Sequence, residues 1–163
     1  MMPYSKGLFL DRDGVINKER GEYTFRVEDF EIIPGVIEGL KIALDKGYKL
    51  IVITNQGGIA KGLYTHEDVR LVHDHLFREL KKHGIYLTDI FYSPHHDDYG
   101  KSLDRKPGSL LFEKAMAIYN IAARHSFMIG DNDRDIIASE RVGIRGIKVT
   151  ANSSIQPIIE TLP

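Results

Sequence analysis

The chain has 163 residues, enough for one domain with a real core. Hydrophobic residues make up 42% and charged residues 28%, and 22 Lys plus Arg stand against 23 Asp plus Glu for a formal net charge of -1. That balance excludes a general nucleic-acid or membrane-surface binder, and the lack of cysteine excludes disulfides, thiolate metal sites and a thiol nucleophile.

The first apolar run, "GLFLD" (7–11), reads as a buried strand that ends at Asp11. Two carboxylates one residue apart, Asp11 and Asp13, follow it, and Gly14 permits a sharp turn after them. If the chain stays extended there, both aspartates face the same way. Burying two such charges is unfavourable unless something positive sits between them. The segment "KERGEYTFR" (18–26) is polar and reads as a flap. Apolar positions Val36, Ile37, Leu40, Ala43 and Leu44 predict a helix over 34–46, stopped by Gly47.

The second run, "KLIVIT" (49–54), ends at Thr54, and Asn55, Gln56, Gly57 and Gly58 follow. A hydroxyl, two amides and a glycine-rich turn suit a phosphate cradle. The segment "THED" then predicts an N-cap, and Val69, Val72, Leu76 and Leu80 place one face of a helix over 65–83 in the core. The third run is "DIFYS" (89–93), followed by a polar loop that reaches Lys106. Pro107 reads as the first residue of a helix over 107–119. A lysine just before a helix is unfavourable to the dipole unless an anion lies between them, so Lys106 reads as a phosphate ligand. The fourth run, "SFMIGD" (126–131), ends at Asp131. A helix over 134–142 follows, with Asp133 or Asp135 as its capping acid, and "GIKVT" (146–150) is the fifth run.

Strands alternating with helices predict an α/β fold, a doubly wound and mostly parallel Rossmann-like sheet. All five runs read as strands buried on both faces. Ligands of such sheets bind outside the carboxyl ends of the strands, where Asp11, Thr54, Asp131 and the loop to Lys106 fall. Clustered carboxylates with oxygen-only ligands call for a hard cation, and magnesium is the choice. No apolar run is of spanning length, no basic segment leads into an apolar stretch, and no repeat or linker interrupts residues 1–163. The reading is therefore a single cytoplasmic domain.

The segments "DRDG", "TNQ", Lys106 and "GDNDRD" resemble, in order and spacing, the four motifs of the haloacid dehalogenase superfamily, over nearly the whole chain. More narrowly, "LFLDRDGVIN", "GVIEGL", "GYKLIVITNQGGIAKG", "YSPHH" and "DRKPG" look like the D-glycero-D-manno-heptose bisphosphate phosphatases, with histidinol-phosphate phosphatases as close relatives. The resemblance implies a magnesium-dependent phosphomonoester hydrolase. In it Asp11 is the nucleophile that forms an aspartyl-phosphate, and Asp13 is the general acid and base. Asp11, the Asp13 backbone carbonyl and Asp131 hold the metal, while Thr54 and Lys106 hold the transferring oxygens. Expected substrate contacts are Arg12, Glu19, Arg20, Asn55, Gln56 and Arg105. The substrate would be a small sugar phosphate, most simply heptose 1,7-bisphosphate, with histidinol phosphate the alternative and a monomer the expected state. The chain between the motifs is too short for a cap domain.

Two departures matter. The relatives carry a zinc loop with a C-x-H…C-x-C arrangement, whose positions here are Ser93, His95, Ser102 and Asp104. Serine is a poor zinc ligand, so zinc is not expected and hydrogen bonds must hold the loop. An oxygen-rich substitute drawing on His95, His96, Asp97 or Asp104 is the alternative. Asn132 stands where the heptose enzymes tend to have a lysine.

Two other classes compete. A response-regulator receiver also uses acids, a hydroxyl, a lysine and magnesium, but it places its phosphorylated aspartate at the third strand, and "DIFYS" ends without one. A nucleic-acid end phosphatase would need a basic, aromatic-laced groove that the net charge of -1 does not suggest.

Overall fold

A computed structural model describes residues 3–163. The chain runs β1 (Lys6–Leu10), α1 (Val36–Asp45), β2 (Tyr48–Asn55), α2 (His66–Lys82), β3 (Asp89–Ser93), α3 (Leu110–Tyr119), β4 (Phe127–Gly130), α4 (Asp133–Glu140), β5 (Arg145–Lys148) and α5 (Gln156–Thr161). The five strands form one parallel sheet in the order β3-β2-β1-β4-β5.

The two-residue strand period divides the core into two layers. Leu8 and Leu10 of β1, Leu50 and Val52 of β2 and Ile129 of β4 pack against Val36 and Leu40 of α1, Val72, Leu76 and Leu80 of α2, and Ile159 of α5. Phe9, Ile51, Ile53 and Met128 point the other way, onto Leu111, Phe112 and Ala115 of α3 and Ala138 of α4. Helices thus cover both faces, as the apolar runs of the central strands require. The edge strands depart from expectation. β3 is only partly buried except at Ser93, and β5 is exposed at both ends, because each has a neighbour on one side alone.

Helix α2 begins as its sequence predicts. The Thr65 hydroxyl accepts from the Asp68 backbone N–H at 3.1 Å, and the Asp68 carboxylate accepts from the Thr65 N–H at 2.8 Å. Pro107, by contrast, does not open a helix. Gly108 turns there, its N–H donating to Arg105 O at 2.6 Å, so close to Leu103 O that a Cβ would lie 2.3 Å from it. α3 starts at Leu110, and Lys106 owes its place to other partners than a helix end. Between β1 and α1, β2 and α2, and β3 and α3 lie loops and short 3-10 turns, and no cap domain stands among them.

β1 is the point where the chain reverses direction across the sheet, with β2 on one side and β4 on the other. Ligands of open α/β sheets bind at that point, outside the carboxyl ends. Asp11 follows β1 and Asp131 follows β4, one on each side of it.

Candidate active site

Lys106 is fully buried and anchors the site. Its Nζ donates to Asp11 Oδ1 at 2.9 Å and to Ile53 O at 2.6 Å, and lies 2.7 Å from Asp135 Oδ1. The contact with Asp135 is a fully buried ion pair. Burial works against charge on the lysine, but Asp11 and Asp135 outweigh it and hold its pKa above the usual lysine range. The Asn55 side chain fixes the lysine's backbone through a reciprocal pair: its Nδ2 donates to Lys106 O at 3.1 Å, and its Oδ1 accepts from Lys106 N at 3.0 Å.

Burial pushes the Asp11 carboxyl up to about 7 despite Lys106, with Asp135 and Asp13 adding to the rise. Asp131 is raised likewise, by burial first and then by the charge of Asp135. Asp13 goes the other way. Burial would raise it, but the Arg12 charge and hydrogen bonds from Arg12, Asn17 and Gln56 hold it below the ordinary carboxylate range. Those bonds are Arg12 Nη2 to Oδ1 at 3.0 Å, Asn17 Nδ2 to Oδ1 at 3.0 Å and Gln56 Nε2 to Oδ2 at 3.1 Å. The two neighbouring carboxylates therefore differ: donors hold Asp13 ionised, while burial opposes ionisation of Asp11.

Asp11, Asp131 and Asp135 bring carboxylate oxygens within 4.8 Å of one another, the one such group of three or more metal-ligating side chains among the described residues. Burial raises two of these carboxyls, and a cation among them would offset that cost. A hard divalent cation fits that oxygen-only donor set. Asp135 also closes the first turn of α4, its Oδ2 accepting from Asn132 N at 3.0 Å, whereas exposed Asp133 pairs with Lys148 at 2.6 Å. Of the two candidates, Asp135 is the capping acid. Its additional place beside Asp11 is signalled in the sequence only by its spacing four residues after Asp131.

A cavity of about 480 Å³ opens over these groups. Asp11, Asp13, Glu19, Asn55, Gln56 and Asp131, all singled out in the sequence, line it. Thr54 lies buried behind it, its Oγ1 accepting from Gln56 Nε2 at 2.9 Å. Three expected substrate contacts point elsewhere. Arg12 is wholly buried: Nη2 donates to Thr24 O at 2.7 Å and Nη1 lies 3.2 Å from His73 Nε2, so it supports Asp13 and ties down the flap. Arg20 turns to Asp29 and Glu22, at 3.4 and 3.6 Å. Arg105 donates from Nη1 to His95 O at 3.0 Å, and its Nε lies 3.5 Å from Asp97. Each long cation is drawn to an anion or carbonyl of its own loop.

Sequence reasoning missed Tyr23, Thr24 and Arg134, which also line the cavity, and His73 behind Arg12. His73 was discoverable, since it falls one helical turn after Val69 on the buried face of α2. Burial and the Arg12 charge lower His73 to about 3, so it is neutral and accepts from Arg12.

The loop after β3 is held as the absence of cysteine demands. Asp104 Oδ1 accepts from Ser93 Oγ at 2.7 Å and from Ser102 Oγ, and His95 Nδ1 lies 2.9 Å from it. The four positions that carry zinc ligands in the resembled family therefore converge here on one carboxylate oxygen.

The HAD-hydrolase-like family profile matches residues 103–160. The chain is 44% identical over 145 residues to D-glycero-alpha-D-manno-heptose-1,7-bisphosphate 7-phosphatase of Photorhabdus laumondii, covering 85% of this chain and 79% of that protein. It is 34% identical over 170 residues to the D-glycero-D-manno-heptose-1,7-bisphosphate 7-phosphatase of Chlorobaculum tepidum, covering 98% and 85%. A solved D,D-heptose 1,7-bisphosphate phosphatase from B. bronchiseptica, complexed with magnesium and phosphate, superposes with a TM-score of 0.84 at 27% identity, over 97% of this chain and 88% of that one. The protein is a phosphoric monoester hydrolase of the haloacid dehalogenase superfamily. Within that superfamily it belongs to the heptose bisphosphate 7-phosphatase family. Among the described residues no helix is long and apolar enough to cross a membrane.

Proposed function

We propose that this protein removes one phosphoryl group from D-glycero-D-manno-heptose 1,7-bisphosphate through an aspartyl-phosphate on Asp11. The observation that carries this reading is the pairing of Asp11 with buried Lys106 at 2.9 Å, at a cavity that Asp13 and Asp131 also line. A binding pocket alone has no use for such a pair, and the named relatives act on this substrate by name.

In the first step an Asp11 carboxylate oxygen attacks phosphorus and the bond from phosphorus to the sugar oxygen breaks. Asp13, after taking up a proton against its lowered pKa, gives that proton to the leaving oxygen. In the second step Asp13 takes a proton from water, whose oxygen attacks the phosphorus of the aspartyl-phosphate, releasing inorganic phosphate and restoring Asp11. Lys106 keeps Asp11 ionised and offers positive charge to the transferring oxygens, and Thr54 donates to them from its hydroxyl. Asn55 and Gln56 act by position, the first holding Lys106 and the second bridging Thr54 and Asp13. Magnesium would be held by Asp11, Asp131 and the Asp13 backbone carbonyl, and when bound it supplies charge neutralisation between nucleophile and phosphate. Asp135 orients that set through Lys106 and the α4 cap.

The test is phosphate release from heptose 1,7-bisphosphate and from histidinol phosphate, with and without magnesium. The proposal expects sustained, magnesium-dependent turnover with the heptose bisphosphate strongly preferred. Equal slow rates on both, or a single turnover that stops, would overturn it.

A further inference from the structure

The cavity over Asp11 is lined by five carboxylates, those of Asp11, Asp13, Glu19, Glu22 and Asp131, and by one cationic side chain, that of Arg134. Arg134 stands in the first turn of α4, where its backbone N–H donates to Asn132 Oδ1 at 3.2 Å and a capping box fixes the turn. Its Nε is buried without a hydrogen-bond partner, and among the described residues its guanidinium forms no ion pair. The two flap acids that line the cavity have other partners: Glu19 Oε1 accepts from Gly21 N at 2.7 Å, and Glu22 lies 3.6 Å from Arg20.

This arrangement is unfavourable by itself. A buried N–H of a permanently charged group lacks an acceptor, and a cation in the first turn works against the helix dipole. An anion seated in the cavity would relieve the second. The arginine fork suits a phosphoryl group, which it can bind through two parallel hydrogen bonds. The cavity, at about 480 Å³, is within the ~300–1,000 Å³ of small-molecule sites.

We propose that Arg134 is a specificity-determining residue that binds the second phosphoryl group of the substrate, the one that is not transferred. This rests on the bisphosphate reading above and names the residue that distinguishes a bisphosphate from a monophosphate.

The experiment compares wild type, R134Q and R134K with magnesium on heptose 1,7-bisphosphate, heptose 7-phosphate and p-nitrophenyl phosphate. Loss of one charge-assisted contact raises KM for the bisphosphate by about 10- to 100-fold in R134Q, and R134K recovers part of it. Turnover number on the bisphosphate, and all constants on the two monophosphates, stay within about twofold, since a contact made equally in ground and transition states affects binding alone. Parallel losses on all three substrates would mark a structural role and overturn the assignment. So would an unchanged or lowered KM for the bisphosphate in R134Q. If wild type itself shows no preference for the bisphosphate over heptose 7-phosphate, the bisphosphate reading falls and this inference with it. A wild-type preference that survives in R134Q removes this inference alone.

Discussion

Replacing Lys106 with methionine should damage stability and catalysis together, for one electrostatic reason. The ammonium lies 2.9 Å from Asp11 Oδ1 and 2.7 Å from Asp135 Oδ1, with all three groups buried. At an effective dielectric of ~20 each contact is worth roughly 6 kcal/mol before desolvation, which offsets much of it. Methionine keeps most of the volume but leaves two buried carboxylates without their cation, and breaking a buried pair from one side costs about 3–5 kcal/mol. Asp11 responds by taking up a proton. Asp11 already sits at about 7, and Lys106 is the main influence that opposes its burial, so its pKa moves further up. At neutral pH the nucleophile is then protonated, and turnover falls at least ~100-fold, the scale of losing one oxyanion-stabilising donor. Residual activity climbs as pH is raised, because a carboxyl of raised pKa ionises only at higher pH. Urea unfolding followed by circular dichroism, and phosphate release across pH, measure the two effects. A variant within about 1 kcal/mol of wild-type stability and within about tenfold of its turnover would refute the reasoning.

Asp104→Ala should cost about 1–3 kcal/mol in urea unfolding, because Ser93 Oγ is buried and loses its acceptor. A change below about 0.5 kcal/mol would mean that the carboxylate does not hold the loop. His73→Gln should reduce the sensitivity of folding to acid. His73 drops from its ordinary 6.5 to about 3 on folding, so between those values the unfolded chain binds more protons and stability is lost as pH falls. From pH 7 to about 4.5 this single histidine accounts for roughly 2.5 kcal/mol, and an unaltered acid profile in the variant would contradict that assignment.

Much of the site is legible from the sequence because strand ends are. β1, β2 and β4 are apolar runs that stop at a polar residue, and the sheet topology carries Asp11, Thr54 and Asp131 to one edge. The third run is read to the residue, Asp89–Ser93, though its burial is not, since nothing local says which strand lies at an edge. α5 escapes notice because Gln156–Thr161 is short and carries a proline near its start. Arg12 illustrates a subtler failure. Arg12 sits in the turn after β1, its carbonyl accepting from the N–H groups of Ile16 and Asn17, and its side chain lies wholly buried. Charge between two aspartates suggests a ligand contact, and the tertiary partners Thr24 O and His73 draw the side chain inward instead. Arg20 and Arg105 could not be placed from spacing at all. Their long stems reach partners, Asp29 and His95 O, that only the folded loops bring near.

Asp11 as the point of covalent attachment for the phosphoryl group is the claim on which the rest depends. Rapid acid quench during turnover, followed by mass spectrometry of the peptide spanning 7–17, tests it most directly. A phosphoryl group on Asp11 that disappears in Asp11→Asn, together with turnover, is the predicted result. Magnesium-dependent turnover that persists in Asp11→Asn would contradict it.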